Sequence, residues 1–174
     1  DNRRLAGEDL PAGSTALQRG RLLVPSDLGL IASLGIGEVN VMRKLRVAFF
    51  STGDELRSIC QPLDEGCVYD SNRYMLQAMI ERAGFEAIDL GVVRDDPALL
   101  EATLSDACRK ADAVITTGGV SAGDADYTKD MMARLGEVVF WKVAMRPGRP
   151  MAFGRLKVDG QSALFFGLPG NPVA

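Results

Sequence analysis

The sequence predicts an α/β protein: a three-layer α/β/α sandwich with a mostly parallel sheet, preceded by a short, mostly β segment. Two observations support this fold class. From Arg46 onward, short apolar runs alternate with longer segments of helical periodicity. Such strand–helix–strand alternation is typical of parallel strands joined by right-handed crossovers, with helices on both faces. Apolar residues make up 47% of the 174-residue chain, which is enough for a sizeable core.

Residues 1–44 differ from the rest and are predicted to be the end of a preceding, mostly β domain. Glycines interrupt short apolar pieces in this segment, which suggests short strands and turns. One helix is expected within residues 24–35, with Ser26 as its N-cap and Gly35 as its C-terminal stop. Residues 45–174 form the second predicted domain. Because the chain lacks an initiating methionine and stops at "LPGNPVA", it is expected to be a C-terminally truncated fragment.

Continuous apolar runs predict the strands of the second domain. The run "RVAFFS" at residues 46–51 has no polar alternation, which is typical of a strand covered on both faces. Similar runs place the remaining strands at residues 85–93, 113–118, 137–145, 150–156 and 162–168.

The first helix of this domain is predicted at residues 70–84. Asp70 or Ser71 can cap its N-terminus, and Gly84 can end it. Apolar residues recur at helical spacing and are expected to face the core. They are Met75, Leu76, Met79, Ile80 and Ala83.

The second helix is predicted at residues 96–111, and a third at about residues 127–135. Asp96 precedes Pro97, which is the arrangement of an N-cap followed by the first helical residue. The residues expected to face the core are Leu100, Leu104, Ala107 and Ala111.

Composition excludes several function classes. The formal charge is −3, which gives no reason to expect nucleic acid or an anionic membrane as a partner. No apolar run approaches a membrane span, and no leader sequence is recognisable, so we expect a cytoplasmic protein.

The three cysteines, Cys60, Cys67 and Cys108, lack CxxC spacing and are expected to be reduced thiols. Because the chain has no histidine, histidine-dependent triads are excluded.

Three acidic loops follow three of the predicted strands. Glu55 lies in "STGDE", Asp95 in "RDD" and Asp126 in "GGVSAGDAD". Since ligands of such sheets bind outside the carboxyl ends of the strands, these carboxylates could meet at one edge. Clustered carboxylates beside a phosphate attract Mg²⁺, and without a cation they would repel a polyanion. The alternative is that they are solvated loop residues, or that Asp126 caps the following helix.

Glycines and cations occur near the same edge. Gly118 and Gly119 can adopt positive φ and bring backbone N–H groups close to a phosphate, although an ordinary turn would also explain them. Lys142, Arg146 and Arg149 surround a Pro-Gly turn and could bind an oxyanion, or could form a solvated hairpin tip. The rigid turn "GLPGNP" at the end of another strand is more often structural than functional.

Taken together, "FSTGDEL", "YDSN", "VRDDP", "TTGGVSAGDADY", "KVAMRPGRP" and "FGLPGNPV" resemble the molybdopterin molybdenumtransferase family, known as MoeA in bacteria and as the E domain of gephyrin. The resemblance spans residues 46–174 in order. It implies the molybdopterin-binding domain of an enzyme of molybdenum cofactor biosynthesis. Such an enzyme inserts molybdenum from molybdate into adenylylated molybdopterin in a Mg²⁺-dependent step and releases AMP.

The resemblance also implies residue roles. Glu55, Asp95 and Asp126 are the implied catalytic and Mg²⁺-binding residues. Arg146 and Arg149 stand where family members carry lysine, so the charge is kept and its geometry is changed. The implied substrate-binding residues are Thr52, Gly53, Asp54, Thr117, Gly118, Gly119, Ser121, Gly123, Lys142, Arg146, Pro169, Gly170 and Asn171.

The family further implies a homodimer of the full-length protein, with the upstream adenylyltransferase as a candidate partner. Little turnover is expected of the isolated fragment, because the active cleft of the family also uses other domains. Two alternatives remain: a molybdopterin adenylyltransferase of the preceding step, and a non-catalytic molybdopterin-binding or scaffold module. The loop "GGVSAGDADY" differs from the "GGTG" expected of the adenylyltransferase.

Overall fold

The structure, a computed structural model, describes residues 3–119, 131–142 and 150–170, and for residues 140–142 and 150 it describes the backbone alone. The chain divides into two compact units, Asp1–Arg43 and Lys44–Ala174. No helix within the described residues is long and apolar enough to cross a membrane.

The first unit contains the helix α1, Pro25–Ser33. Val24 occupies the N-cap position, so the prediction that Ser26 caps this helix is wrong. Pro25 suits the first helical position because it has no N–H to satisfy. The N–H of the N-cap residue Val24 is accepted by the Asp27 carboxylate. Gly35 follows the helix with φ +72°, as predicted for a C-terminal stop.

The predicted short strands of the first segment are not found. Between residues 3 and 43 the structure describes turns, extended chain and α1, but no strand. A strand needs a hydrogen-bonded neighbour, and a local apolar pattern cannot supply one. The expectation of a mostly β segment is therefore wrong for these described residues.

The second unit contains a six-stranded mixed sheet. Its strands are β1 Arg46–Thr52, β4 Glu86–Val93, β5 Ala113–Thr117, β6 Gly136–Lys142, β7 Pro150–Val158 and β8 Gln161–Leu168. Their order in the sheet is β4-β1-β5-β8-β7-β6. The pairs β1–β4, β1–β5 and β5–β8 are parallel, whereas β8–β7 and β7–β6 are antiparallel. All six were predicted, with ends that shift by a few residues.

A two-stranded sheet was not predicted. Its strands, β2 Leu56–Arg57 and β3 Val68–Tyr69, are each two residues long and pair in parallel between β1 and the next helix. Such short strands carry no recognisable period.

Two long helices connect the parallel strands, and their caps follow the prediction. The helix α2, Ser71–Arg82, begins at the N-cap Asp70, whose side chain accepts the N–H of Arg73. The helix α3, Pro97–Lys110, begins at the N-cap Asp96. Residues 131–135, part of the third predicted helix, are helical.

The sheet separates two apolar layers, which together with it make three layers. On one face, Val47 and Phe49 of β1 pack with Leu76 and Ile80 of α2. On the other face, Ala48 and Phe50 of β1 pack with α3 and with buried residues of β7 and β8. The core residues of this larger cluster include Ala48, Phe50, Leu104, Ala107, Cys108, Ala111, Met131, Leu156 and Phe165.

The predicted apolar face of α2 is only partly correct. Leu76 and Ile80 are buried, but Met75 and Met79 have 52% and 59% of their surface exposed. Asn72 and Arg73, two polar residues of the first turn, are buried instead. Their burial follows from hydrogen-bonding partners that lie elsewhere in the chain, described below.

Candidate functional site

The carboxyl ends of β1, β4, β5 and β8 lie at one edge of the sheet, and the chain after β5 approaches the end of β1 closely there. Gly118 directly follows β5, has φ +88° and donates its N–H to the carbonyl of Leu168 over 3.0 Å. A Cβ placed on Gly118 would lie 2.5 Å from the carbonyl oxygen of Thr52. Gly119 has φ +67°. Both positions thus require the conformational freedom of glycine, and Gly118 also requires its lack of a side chain.

The turn after β8 joins this contact. A Cβ on Gly170 would lie 3.3 Å from the Cα of Gly118. The Asn72 side chain, at the start of α2, donates to the Gly170 carbonyl over 2.6 Å. Pro169 lies between Gly170 and Leu168, the last residue of β8. We call Thr52, Gly118, Gly119 and Gly170 the glycine cradle.

One buried hydroxyl of the cradle lacks a hydrogen-bond partner among the described residues. Thr52 is 6% exposed, and its Oγ1 is unsatisfied. This atom would lie 3.1 Å from a Cβ on Gly119, so it is directed at the glycine loop. Next to it, the hydroxyls of Ser51 and Thr117 hydrogen-bond each other over 2.8 Å. A buried hydroxyl without a partner is unfavourable, which makes Thr52 Oγ1 a candidate contact for a ligand.

The acidic loops after β1 and β4 start side by side. The N–H of Gly53 donates to the carbonyl of Val93 over 3.3 Å. Gly53 has φ +152°, and a Cβ on it would lie 2.6 Å from Oε2 of Glu55, so the Glu55 carboxylate folds back over this glycine. Glu55 and Asp95 are both exposed. The first two of the predicted carboxylates therefore belong to adjoining connections at one edge.

Several predicted site residues lie outside the described part of the chain. They are Ser121, Gly123, Asp126, Arg146, Arg149 and Asn171. Lys142 ends β6, but only its backbone is described. Asp54 is exposed beside Gly53. The meeting of Glu55, Asp95 and Asp126 consequently stays a prediction.

Among the described residues, no three acidic, cysteine or histidine side chains are grouped so that they could hold a metal ion. The donors that can be assessed, Glu55 and Asp95, are hard carboxylate oxygens, exposed at the edge where the glycine cradle lies. Mg²⁺ takes one or two such oxygens and completes its shell with phosphate and water. The available donor set thus fits Mg²⁺.

Sequence reasoning assigned no role to Ser51 or Asn72. Asn72 is the second residue of α2, after the N-cap Asp70 and Ser71. Asn is a weak helix former, and that was the one local signal that Asn72 has another partner.

The fold and this edge define a class: a three-layer α/β domain with closely approaching glycines at the carboxyl ends of parallel strands, the edge at which such sheets bind their ligands. A family model described as "Probable molybdopterin binding domain" matches residues 48–174. The chain belongs to this family of molybdopterin-binding domains.

Individual relatives agree with this result. A molybdopterin molybdenumtransferase of Haemophilus influenzae is 47% identical over 173 residues, which are 99% of this chain and 42% of the relative. One from a Nostoc species is 40% identical, over 98% of this chain and 39% of its own length. A crystal structure of a molybdopterin biosynthesis MoeA protein from Pyrococcus horikoshii has a TM-score of 0.76 at 36% identity, over 95% of this chain and 40% of that one. The chain spans about two fifths of the length of these proteins.

Proposed function

We propose that this chain is the molybdopterin-binding part of a molybdopterin molybdenumtransferase of molybdenum cofactor biosynthesis. The reaction is the insertion of molybdenum from molybdate into adenylylated molybdopterin, with release of AMP, in the presence of Mg²⁺. The observation that carries the proposal is the glycine cradle, in which the buried Thr52 hydroxyl lies against Gly118 and Gly119 without a hydrogen-bond partner among the described residues. Its relatives, named molybdopterin molybdenumtransferase, support the choice of reaction.

In this proposal the cradle holds one end of the pterin substrate. Backbone N–H groups near Gly118 and Gly119 and the Thr52 hydroxyl are suited to phosphate oxygens or to the polar edge of a pterin. The Pro169–Gly170 turn forms the opposite wall and is held by Asn72. Lys142 and Arg146 would add positive charge for molybdate or phosphate.

Glu55, Asp95 and Asp126 would hold Mg²⁺ at the same edge. When bound, the ion would neutralise phosphate charge and polarise the bond that is broken to release AMP. The role of the chain's own carboxylates is to fix the ion and to orient the substrate phosphate against it. Of the three, Glu55 and Asp95 belong to the described residues, and both are exposed at this edge.

The other features of the proposal concern the whole protein. We propose that residues 1–44 are the end of a preceding domain, that residues 45–174 are a C-terminally truncated molybdopterin-binding domain, and that the full-length protein is a cytoplasmic homodimer. The upstream adenylyltransferase, which supplies the substrate, is the proposed partner.

The test uses the full-length protein with purified adenylylated molybdopterin. We expect AMP to appear when both Mg²⁺ and molybdate are present, and its rate to fall to background when either is omitted. A parallel incubation supplies molybdopterin and Mg-ATP. Formation of the adenylate there would instead support the adenylyltransferase, and binding of the pterin without either reaction would support the scaffold module.

A further inference from the structure

Arg73, on the first turn of α2, is a buried cation that contacts three separate parts of the chain. It is 7% exposed. Its Nε donates to Asp70 over 3.3 Å, and its Nη1 donates to both carboxylate oxygens of Asp89 over 2.9 and 2.8 Å. Its Nη2 donates to Ser58 Oγ over 2.7 Å and to Tyr74 Oη over 3.0 Å. Every nitrogen of the guanidinium is therefore hydrogen-bonded.

The contact between Arg73 and Ser58 reaches the connection that carries Glu55. Ser58 lies three residues after Glu55, and the next residue, Ile59, donates its N–H to the same Tyr74 hydroxyl over 3.2 Å. The guanidinium also lies over the Tyr74 ring, 4.8 Å from its centroid. Arg73 and Tyr74 together thus hold the Ser58–Ile59 peptide against α2.

The contact between Arg73 and Asp89 reaches β4, the strand that leads to Asp95. The register of β1 and β4 shifts just after Asp89, where Gly91 adopts φ +82°. Asp89 Oδ1 accepts the N–H of Gly91 over 2.8 Å, so the carboxylate held by Arg73 also fixes this bulge. A bulge redirects the strand that follows it, and here that strand ends two residues before Asp95.

The charges show that Asp89 is the stronger partner. Burial acts to lower the pKa of the Arg73 guanidinium, but the hydrogen bond and charge of Asp89 outweigh it and hold the pKa above its ordinary value. One cation faces two carboxylates, Asp70 and Asp89, in a largely enclosed position. The three guanidinium nitrogens donate in different directions, Nε to Asp70, Nη1 to Asp89 and Nη2 to Ser58, and a compact lysine ammonium cannot span all three.

We propose that Arg73 is a positioning residue that holds the Glu55-bearing and Asp95-bearing connections at a fixed separation. The structural part of this inference stands on the contacts above, whereas its catalytic consequence rests on the proposed function. If Arg73 only stabilised the domain, its substitution would speed deuterium uptake equally throughout the domain. If Arg73 positions the two connections, its substitution speeds uptake in those connections first.

The test measures deuterium uptake by mass spectrometry on the full-length protein at 25 °C. In Arg73→Lys, we expect peptides covering residues 53–60 and 86–95 to exchange about tenfold faster, and α3 to exchange at the wild-type rate. The kcat for AMP release should fall by about tenfold or more with a smaller change in KM, because displaced catalytic groups lose rate steeply. Arg109→Lys, which alters the exposed Arg109–Asp159 pair, is the matched control and should change neither reading.

The structural inference is overturned if uptake in both connections stays at the wild-type rate, or if uptake rises equally in α3. If Arg73→Lys does not fold, Tyr74→Phe removes only the hydroxyl. It should speed uptake in residues 53–60 and leave residues 86–95 unchanged, and unchanged uptake in 53–60 would count against the proposal. Should the wild-type protein release no AMP, the proposed function fails, while the uptake results still decide the role of Arg73.

Discussion

Thr52 and Gly118, 66 residues apart in the chain, approach so closely that no side chain fits between them. A Cβ on Gly118 would lie 2.5 Å from the carbonyl oxygen of Thr52 and 2.7 Å from its Oγ1. The contact joins the carboxyl ends of β1 and β5, whose last paired residues are Ser51 and Thr117. It therefore defines the floor of the proposed binding site.

The close contact predicts that Gly118→Ala is costly. Its φ of +88° disfavours any L-residue by about 1–2 kcal/mol, and the clash with Thr52 forces the backbone to shift. We expect the free energy of unfolding, measured in urea, to fall by about 3 kcal/mol. Gly160→Ala is the control: it has a similar φ of +78° but open space around it, so about 1–2 kcal/mol should be lost there. Equal losses at the two positions would argue against the clash.

The unsatisfied hydroxyl predicts an unusual result for Thr52→Val. Valine keeps the shape and removes Oγ1, which has no partner among the described residues, so the ligand-free protein should be as stable as wild type or more stable by about 1 kcal/mol. Affinity for the pterin substrate, measured by calorimetry on the full-length protein, should fall. Thr117→Val is the comparison: it removes the hydrogen-bond partner of the Ser51 hydroxyl, so the free energy of unfolding should fall by about 1–2 kcal/mol. A comparable loss of stability in Thr52→Val would contradict the prediction.

The two N-cap aspartates should differ in importance. Asp96 caps α3 at an exposed position through the N–H of Leu99, so Asp96→Ala should lower the free energy of unfolding by about 1 kcal/mol. Asp70 caps α2 and also pairs with the buried Arg73, so Asp70→Ala should lower it by about 3 kcal/mol. Thermal or urea unfolding of both variants checks the order. If the two losses are equal, the ion pair makes no net contribution.

The acidic connections predict a loss of reaction without a loss of fold. In the full-length protein, Glu55→Gln, Asp95→Asn and Asp126→Asn should each slow molybdate-dependent AMP release by about 10²-fold or more. Circular dichroism and the unfolding midpoint should stay close to wild type, because the Glu55 and Asp95 side chains are exposed. Glu65→Gln, an exposed carboxylate in the turn before β3, is the control. Wild-type AMP release from the three variants would refute their assignment.

Much of the fold could be predicted because its signals are local. Asp70, Asp96 and Pro97 mark helix starts through contacts within four residues, and Gly84 ends α2 with a positive φ of +82°. The apolar runs identified all six strands of the main sheet. The edge at which the acidic connections begin also followed, since carboxyl ends of parallel strands lie together.

The sequence by itself determined the six strands of the main sheet, the first residues of α2 and α3, and the family that the chain resembles. The tertiary structure alone decided that Arg73 and Asn72 are buried while Met75 and Met79 are exposed. It also decided that Thr52 meets Gly118, and that β7 and β6 run antiparallel at the end of a parallel sheet. The physical reason is distance along the chain: caps and periodicity act between neighbours, whereas burial of a polar side chain depends on partners that folding brings from tens of residues away.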